Sequence, residues 1–188
     1  VGGGGGGGCG CRGERGGCGD GGGEGVATGE GYAGLLVGSV RWVEENIIRQ
    51  CGIDLLPVKM LEVATPDSVR DFSRSNAKLL TDKVGSQGSR VFFVRDTLDR
   101  PAFEAVTFGT ANSKSNPALR FTVWITAATR DPHIALAHEL AHVLLDDGSH
   151  TRSPGNLMHS DTSSGNVELS AKQCTQMRHM ARLNDLLD

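Results

Sequence analysis

Apolar residues recur at helical spacing in three parts of this chain. The first predicted helix covers 40–51, where the apolar side chains share one face, and Gly52 stands where a helix-ending glycine belongs. The second covers 132–145 and is apolar on nearly every side, which is typical of a buried helix. The last begins at Ser170, whose spacing to Gln173 fits a capping box.

Short apolar runs between the first two of these helices predict β-strands. The predicted strands cover 53–63, 91–94, 104–110 and 121–126. A short helix is expected at 66–72 and a polar surface loop at 76–90, while the polar residues at 111–117 have the composition of a hairpin loop. Because the strands are grouped before the buried helix and do not alternate with helices, the predicted fold class is α+β.

The glycines set the first part of the chain apart from the rest. Eighteen of the 27 glycines lie in residues 1–31, a stretch that has few side chains to bury and much conformational entropy to lose. We therefore expect residues 1–31 to form a flexible tail and 32–188 to form a single domain. A net charge of −3 lacks the basic footprint of a nucleic-acid-binding domain, and no apolar run approaches the ~18 residues that span a membrane.

Three polar residues interrupt the apolar run at 134–145 of this helix: His138, Glu139 and His142. Burying two imidazoles and a carboxylate in such a helix is costly unless a partner satisfies them. Residues four apart lie on one helix face, so both histidines can present a nitrogen to one point, with Glu139 about 100° away around the helix. This His-Glu-x-x-His pattern predicts a catalytic zinc site; the alternative is a helix with two hydrogen-bonded core histidines.

A catalytic zinc ion needs a third protein ligand and an open position. His150 is the first candidate, because Gly148 permits the positive φ that would end the helix and turn the chain back. Asp146 and Asp147 are rival candidates, although their simplest role is a polar helix end. Glu168, at the beginning of the last helix, is another rival, since a glutamate from a later helix is the other common solution for this motif. His133 precedes the motif and is expected at the beginning of the helix.

The segment 138–158 resembles the zinc-binding region of the metzincin family of metallopeptidases. Its His-Glu-x-x-His residues match the first part of that family's motif, and Asn-Leu-Met at 156–158 looks like the family's methionine turn. The family glycine would fall at Leu145 and the third histidine at Gly148, so this chain departs from the family where the helix ends.

The resemblance implies a zinc-dependent endopeptidase with Glu139 as general base, acting as a monomer on a peptide or protein substrate. It also implies a small twisted mixed sheet packed on the active-site helix, with an early helix and a C-terminal helix. Met158 would lie beneath the zinc ligands, and His159 would support the oxyanion. The strand at 121–126 would pair with the substrate at the sheet edge, or it is simply a central strand. The alternatives are a non-enzymatic protein-binding module on this scaffold and a thermolysin-like peptidase that uses Glu168.

Two cysteines lie in the first and last predicted helices. A disulfide between Cys51 and Cys174 would tie these helices together and indicate an oxidising compartment, whereas two buried free thiols are the alternative. No charged start followed by an apolar segment precedes the domain. The expectation that the protein is secreted or extracytoplasmic therefore depends on the resemblance and on such a bond.

Overall fold

A computed structural model describes most of the predicted domain. The described residues are 41–43, 46–55, 61, 63–85 and 88–186, so the glycine-rich stretch 1–31 lies outside them. The α-helices are α1 (Arg74–Val84), α2 (Pro132–Leu145) and α3 (Ala171–Leu183). The β-strands are β1 (Arg90–Val94), β2 (Ala105–Phe108) and β3 (Thr122–Thr126).

The three strands form a small mixed sheet in the order β1-β3-β2. β1 runs parallel to β3, and β2 runs antiparallel to β3, with Thr107 opposite Val123. The α+β class with a small mixed sheet is thus confirmed. The antiparallel β2–β3 pair also confirms the predicted hairpin, although its loop includes a 3-10 turn at Pro117–Leu119.

The sheet lies between two apolar clusters, because alternate strand residues point to opposite faces. On one face Val123 and Ile125 pack in the same cluster as the apolar residues of α2 and α3. On the other face Trp124 packs with Ala77 and Leu80 of α1. All five residues of β3 are buried, as expected of a central strand covered on both sides.

The strand at 121–126 was expected to be either an edge strand that pairs with a substrate or a central strand, and the structure shows the central strand. β3 lies in the centre of the sheet, and β2 is the edge strand on the antiparallel side. A fully buried strand and a buried edge strand have the same apolar composition, so the sequence pattern could not separate them.

Three local predictions fail. The stretch at 76–90 was expected to be a loop, but residues 74–84 form α1, where the Ser73 hydroxyl caps the backbone N–H of Asn76. Only three residues of this helix are buried, so its sequence is mostly polar. Within 53–63 the structure describes residues 53–55, 61 and 63, and none of these forms the predicted strand. The helix expected at 66–72 is only a 3-10 turn, Asp67–Val69.

The early helix and the last helix are joined covalently. Residues 41–43 and 46 are helical, a 3-10 turn follows at Ile48–Cys51, and Gly52 ends it with the expected left-handed φ of 63°. Cys51 and Cys174 form a disulfide bond, which confirms the bonded alternative over free thiols. The capping box expected at the beginning of α3 is present. In the described part of the chain, no helix is long and apolar enough to cross a membrane.

Candidate metal centre

The helix α2 holds the His-Glu-x-x-His residues in the interior of the domain. Its beginning is as predicted: Asp131 caps the backbone N–H of Ile134, and proline occupies the first helical position. Residues 134–145 are buried except Glu139, which is partly exposed. Any polar side chain on this helix therefore needs a partner within the protein or a bound ion.

His138, His142 and His150 bring their Nε2 atoms to one point. The distances between these atoms are 3.0 Å for His138–His142, 3.1 Å for His138–His150 and 3.3 Å for His142–His150. His138 and His142 are buried, and His150 is exposed. The three residues form a group that could hold a metal ion.

Backbone carbonyls determine which ring nitrogens of the helical histidines are free. The Nδ1 atom of His138 lies 2.7 Å from the carbonyl oxygen of Leu157, and Nδ1 of His142 lies 2.7 Å from that of Asp147. A carbonyl oxygen only accepts hydrogen bonds, so both Nδ1 atoms are the protonated donors. Two Nε2 lone pairs therefore face each other at 3.0 Å, an arrangement that a cation between them would stabilise.

The nitrogen triangle fits the size of a tetrahedral metal ion. Nitrogen ligands at about 2.05 Å from a tetrahedral zinc ion lie roughly 3.3 Å apart, close to the 3.0–3.3 Å seen here. Hydrogen bonds from Nδ1 to carbonyl oxygens are the usual support of metal-binding histidines. No fourth histidine, cysteine, aspartate or glutamate of the described residues joins this group.

The end of α2 turns the chain so that His150 reaches the helical pair. Asp146 ends the helix in the left-handed conformation with φ 48°, so the expectation that Gly148 supplies the positive φ is wrong. A carboxylate oxygen of Asp146 accepts the backbone N–H of Thr110, which compensates for this strained position. Asp147 then forms a tight turn by accepting the N–H and hydroxyl of Ser149.

Burial keeps the helical histidines neutral. It lowers the pKa of His138 to about 4, even though the hydrogen bond to Leu157 opposes the shift. Burial also lowers the pKa of His142. Because a protonated imidazole cannot bind a metal ion, these environments favour the metal-binding form at neutral pH.

Glu139 lies beside the histidine group and is held by the edge strand. The Thr107 hydroxyl lies 2.6 Å from Oε2 of Glu139 and 2.9 Å from the carbonyl oxygen of the same residue. Burial raises the pKa of Glu139 to about 7, and the hydrogen bond from Thr107 opposes that shift. The other carboxylate oxygen, Oε1, has no hydrogen-bond partner among the described residues.

The segment 156–158 supports the histidines through its backbone. Met158 is 2% exposed and packs in the main core. Its carbonyl oxygen accepts the N–H of Thr151, one residue after His150, and the preceding Leu157 carbonyl orients His138. One short segment thus positions two of the three histidines.

The remaining predicted site residues lie outside the histidine group. His159 is partly exposed, and its Nδ1 accepts the N–H of Asp161. Glu168 is exposed, and its carbonyl oxygen accepts the N–H of Leu157, so its backbone, not its carboxylate, contacts the turn. His133 lies in the first turn of α2, as expected, against the ring of Trp42.

Sequence reasoning missed the groups that orient the site. The carbonyls of Asp147 and Leu157 leave no signal in the side-chain pattern, because any residue supplies a carbonyl. Thr107 left at most a weak signal, a hydroxyl residue between Val106 and Phe108 of a predicted strand. Comparisons with known proteins identify no relative: no protein-family model matches the chain, and a search of curated proteins finds no match.

Proposed function

We propose that this chain is a zinc-dependent endopeptidase. His138, His142 and His150 would hold the zinc ion, and Glu139 would act as general base. The observation that carries the proposal is the convergence of three imidazole nitrogens, 3.0–3.3 Å apart, beside a glutamate with one free carboxylate oxygen. A zinc ion bound by three histidines with an open position would activate water and polarise a carbonyl group.

Glu139 has the position and environment that a general base needs. Its Oε1 is free to take a proton from an attacking water and later to give that proton to the leaving amine. Partial burial raises the pKa of its carboxyl group to about 7, so it exchanges a proton near neutral pH more readily than a fully exposed carboxyl group would. The half-buried position also limits competing hydrogen bonds from bulk water.

The donor set favours a catalytic over a structural metal site. Structural zinc sites are closed by four protein ligands, whereas catalytic sites use three and leave one position open. In the described residues only three candidate ligands converge, and one of them, His150, is exposed. This supports an enzyme over a binding module that merely retains a metal ion.

The same geometry supports His150 over Glu168 as third ligand. His150 lies within hydrogen-bonding distance of both helical histidines, whereas the exposed Glu168 is outside the group. The overall metzincin-like character is part of this proposal, supported by the methionine segment at 156–158 that contacts His138. The Cys51–Cys174 disulfide is compatible with an extracytoplasmic location.

The test compares two glutamate-to-glutamine variants of the full chain. Glu139→Gln should bind one zinc ion per chain but lose cleavage of a peptide library by at least about 1,000-fold, because the amide cannot take the proton. Glu168→Gln is the matched control and should retain both zinc and activity. Full activity of Glu139→Gln would contradict the proposal, and loss of zinc in Glu168→Gln would favour the thermolysin-like alternative.

A further inference from the structure

The face of the sheet that packs against α2 carries an unusual polar group. On β2, Ala105 and Thr107 point toward α2, while Val106 and Phe108 point into the second apolar cluster. The residue opposite Thr107 on β3 is Val123, which is fully buried. Valine would have the same shape as threonine at this position, so the hydroxyl needs a separate explanation.

The Thr107 hydroxyl lies near two acceptor oxygens of one residue of the site and shares its single proton between them. It lies 2.6 Å from Oε2 of Glu139 and 2.9 Å from the carbonyl oxygen of Glu139. A contact to both the side chain and the backbone of the same residue restricts the glutamate's side-chain torsions. It also occupies Oε2 and leaves Oε1 for another partner.

We propose that Thr107 is a positioning residue that fixes the Glu139 carboxylate beside the three-histidine group. The proposal rests on the peptidase function proposed above. A hydrogen bond to a charged carboxylate is short and strong. The segment that follows β2 is also joined to the residue that ends α2, because the backbone N–H of Thr110 donates to the Asp146 carboxylate. The carboxylate is therefore held by a residue of a β-strand, and a strand positions a side chain more accurately than a loop does.

If Thr107 has this role, its substitution should lower the catalytic rate without weakening zinc binding or substrate binding. Thr107 contacts none of the three histidines through a hydrogen bond, so its removal should leave zinc stoichiometry unchanged. A misplaced base slows the chemical step, and displacement by about 1 Å can cost about 100-fold. We expect Thr107→Val to lower kcat at least about tenfold while KM stays within about twofold.

A matched set of variants separates positioning from packing. Thr107→Ser retains the hydroxyl and should recover most of the wild-type kcat. Thr126→Val makes the same change on β3, where the hydroxyl donates to the carbonyl of Glu104 at 3.0 Å, and should behave as wild type. If Thr107→Val does not fold, Thr107→Ala provides a second variant without the hydroxyl.

Crystal structures of the same variants provide a measurement that does not depend on activity. The Glu139 carboxylate should move away from its wild-type position in Thr107→Val and remain in place in Thr107→Ser. If the wild type is active and Thr107→Val has the same kcat, the positioning role of Thr107 is overturned, while the peptidase function stands. An inactive, zinc-loaded wild type would contradict the peptidase function, and an unmoved carboxylate in Thr107→Val would still overturn the tether.

Discussion

Removing the Cys51–Cys174 disulfide should destabilise the domain strongly. The bond joins residues 123 positions apart, and closing a loop of this length in the unfolded chain corresponds to about 5 kcal/mol of stability. Measured losses usually lie at or below such chain-entropy values, so we expect a loss of about 2–5 kcal/mol. For a domain of this size the melting temperature should then fall by roughly 5–20 °C.

Urea unfolding of the double variant Cys51→Ala, Cys174→Ala measures this loss directly. Both cysteines are buried, so the double variant also removes some packing. Wild-type protein unfolded with a reductant is the control, because it lacks the bond but keeps both side chains. If reduction lowers the free energy of unfolding of the wild type by less than about 1 kcal/mol, the reasoning is refuted, because the disulfide would then restrict the unfolded chain too little.

Three further predictions follow from the described contacts. Burial holds the folded pKa of His138 near 4, below its unfolded value, and raises the pKa of Glu139 to about 7, so the two groups shift stability in opposite directions as pH falls. In the metal-free Glu139→Gln variant only the histidine effect remains, and stability should fall between about pH 6.5 and 4 by up to about 3 kcal/mol; a flat profile of this variant in urea unfolding would contradict this. Asn156→Ala removes side-chain hydrogen bonds that hold the segment carrying the Leu157 carbonyl, so zinc affinity in a competition titration should fall at least about tenfold, and unchanged affinity would refute it. In Gly109→Ala the new Cβ would lie 2.9 Å from the Asp146 carboxylate, so thermal unfolding should show a loss of about 1–3 kcal/mol, whereas wild-type stability would show that Asp146 moves freely.

The sequence predicted the parts of the site that depend on side-chain pattern. His138 and His142 share a helix face because of their spacing alone, and Asp131 and Pro132 mark the beginning of that helix. His150 was the first candidate for the third position, and the structure brings it to the pair. These features are local, so a few residues of sequence contain them.

The features that depend on tertiary packing were not predictable in the same way. The order of strands in the sheet depends on contacts between distant segments, so the sequence left open whether β3 is a central or an edge strand. The left-handed turn at Asp146 depends on its hydrogen bond to Thr110, 36 residues earlier. The sequence analysis assigned the left-handed conformation to Gly148. Asp146 adopts it instead, and the hydrogen bond of its carboxylate to Thr110 stabilises it there.

A zinc titration of the metal-stripped protein, with cleavage of a peptide library measured at each step, tests the central claim most directly. The proposed site predicts that activity rises in proportion to added zinc and levels off at one equivalent per chain. Zinc binding without cleavage would contradict the enzymatic function, and failure to bind one equivalent would contradict the three-histidine centre itself.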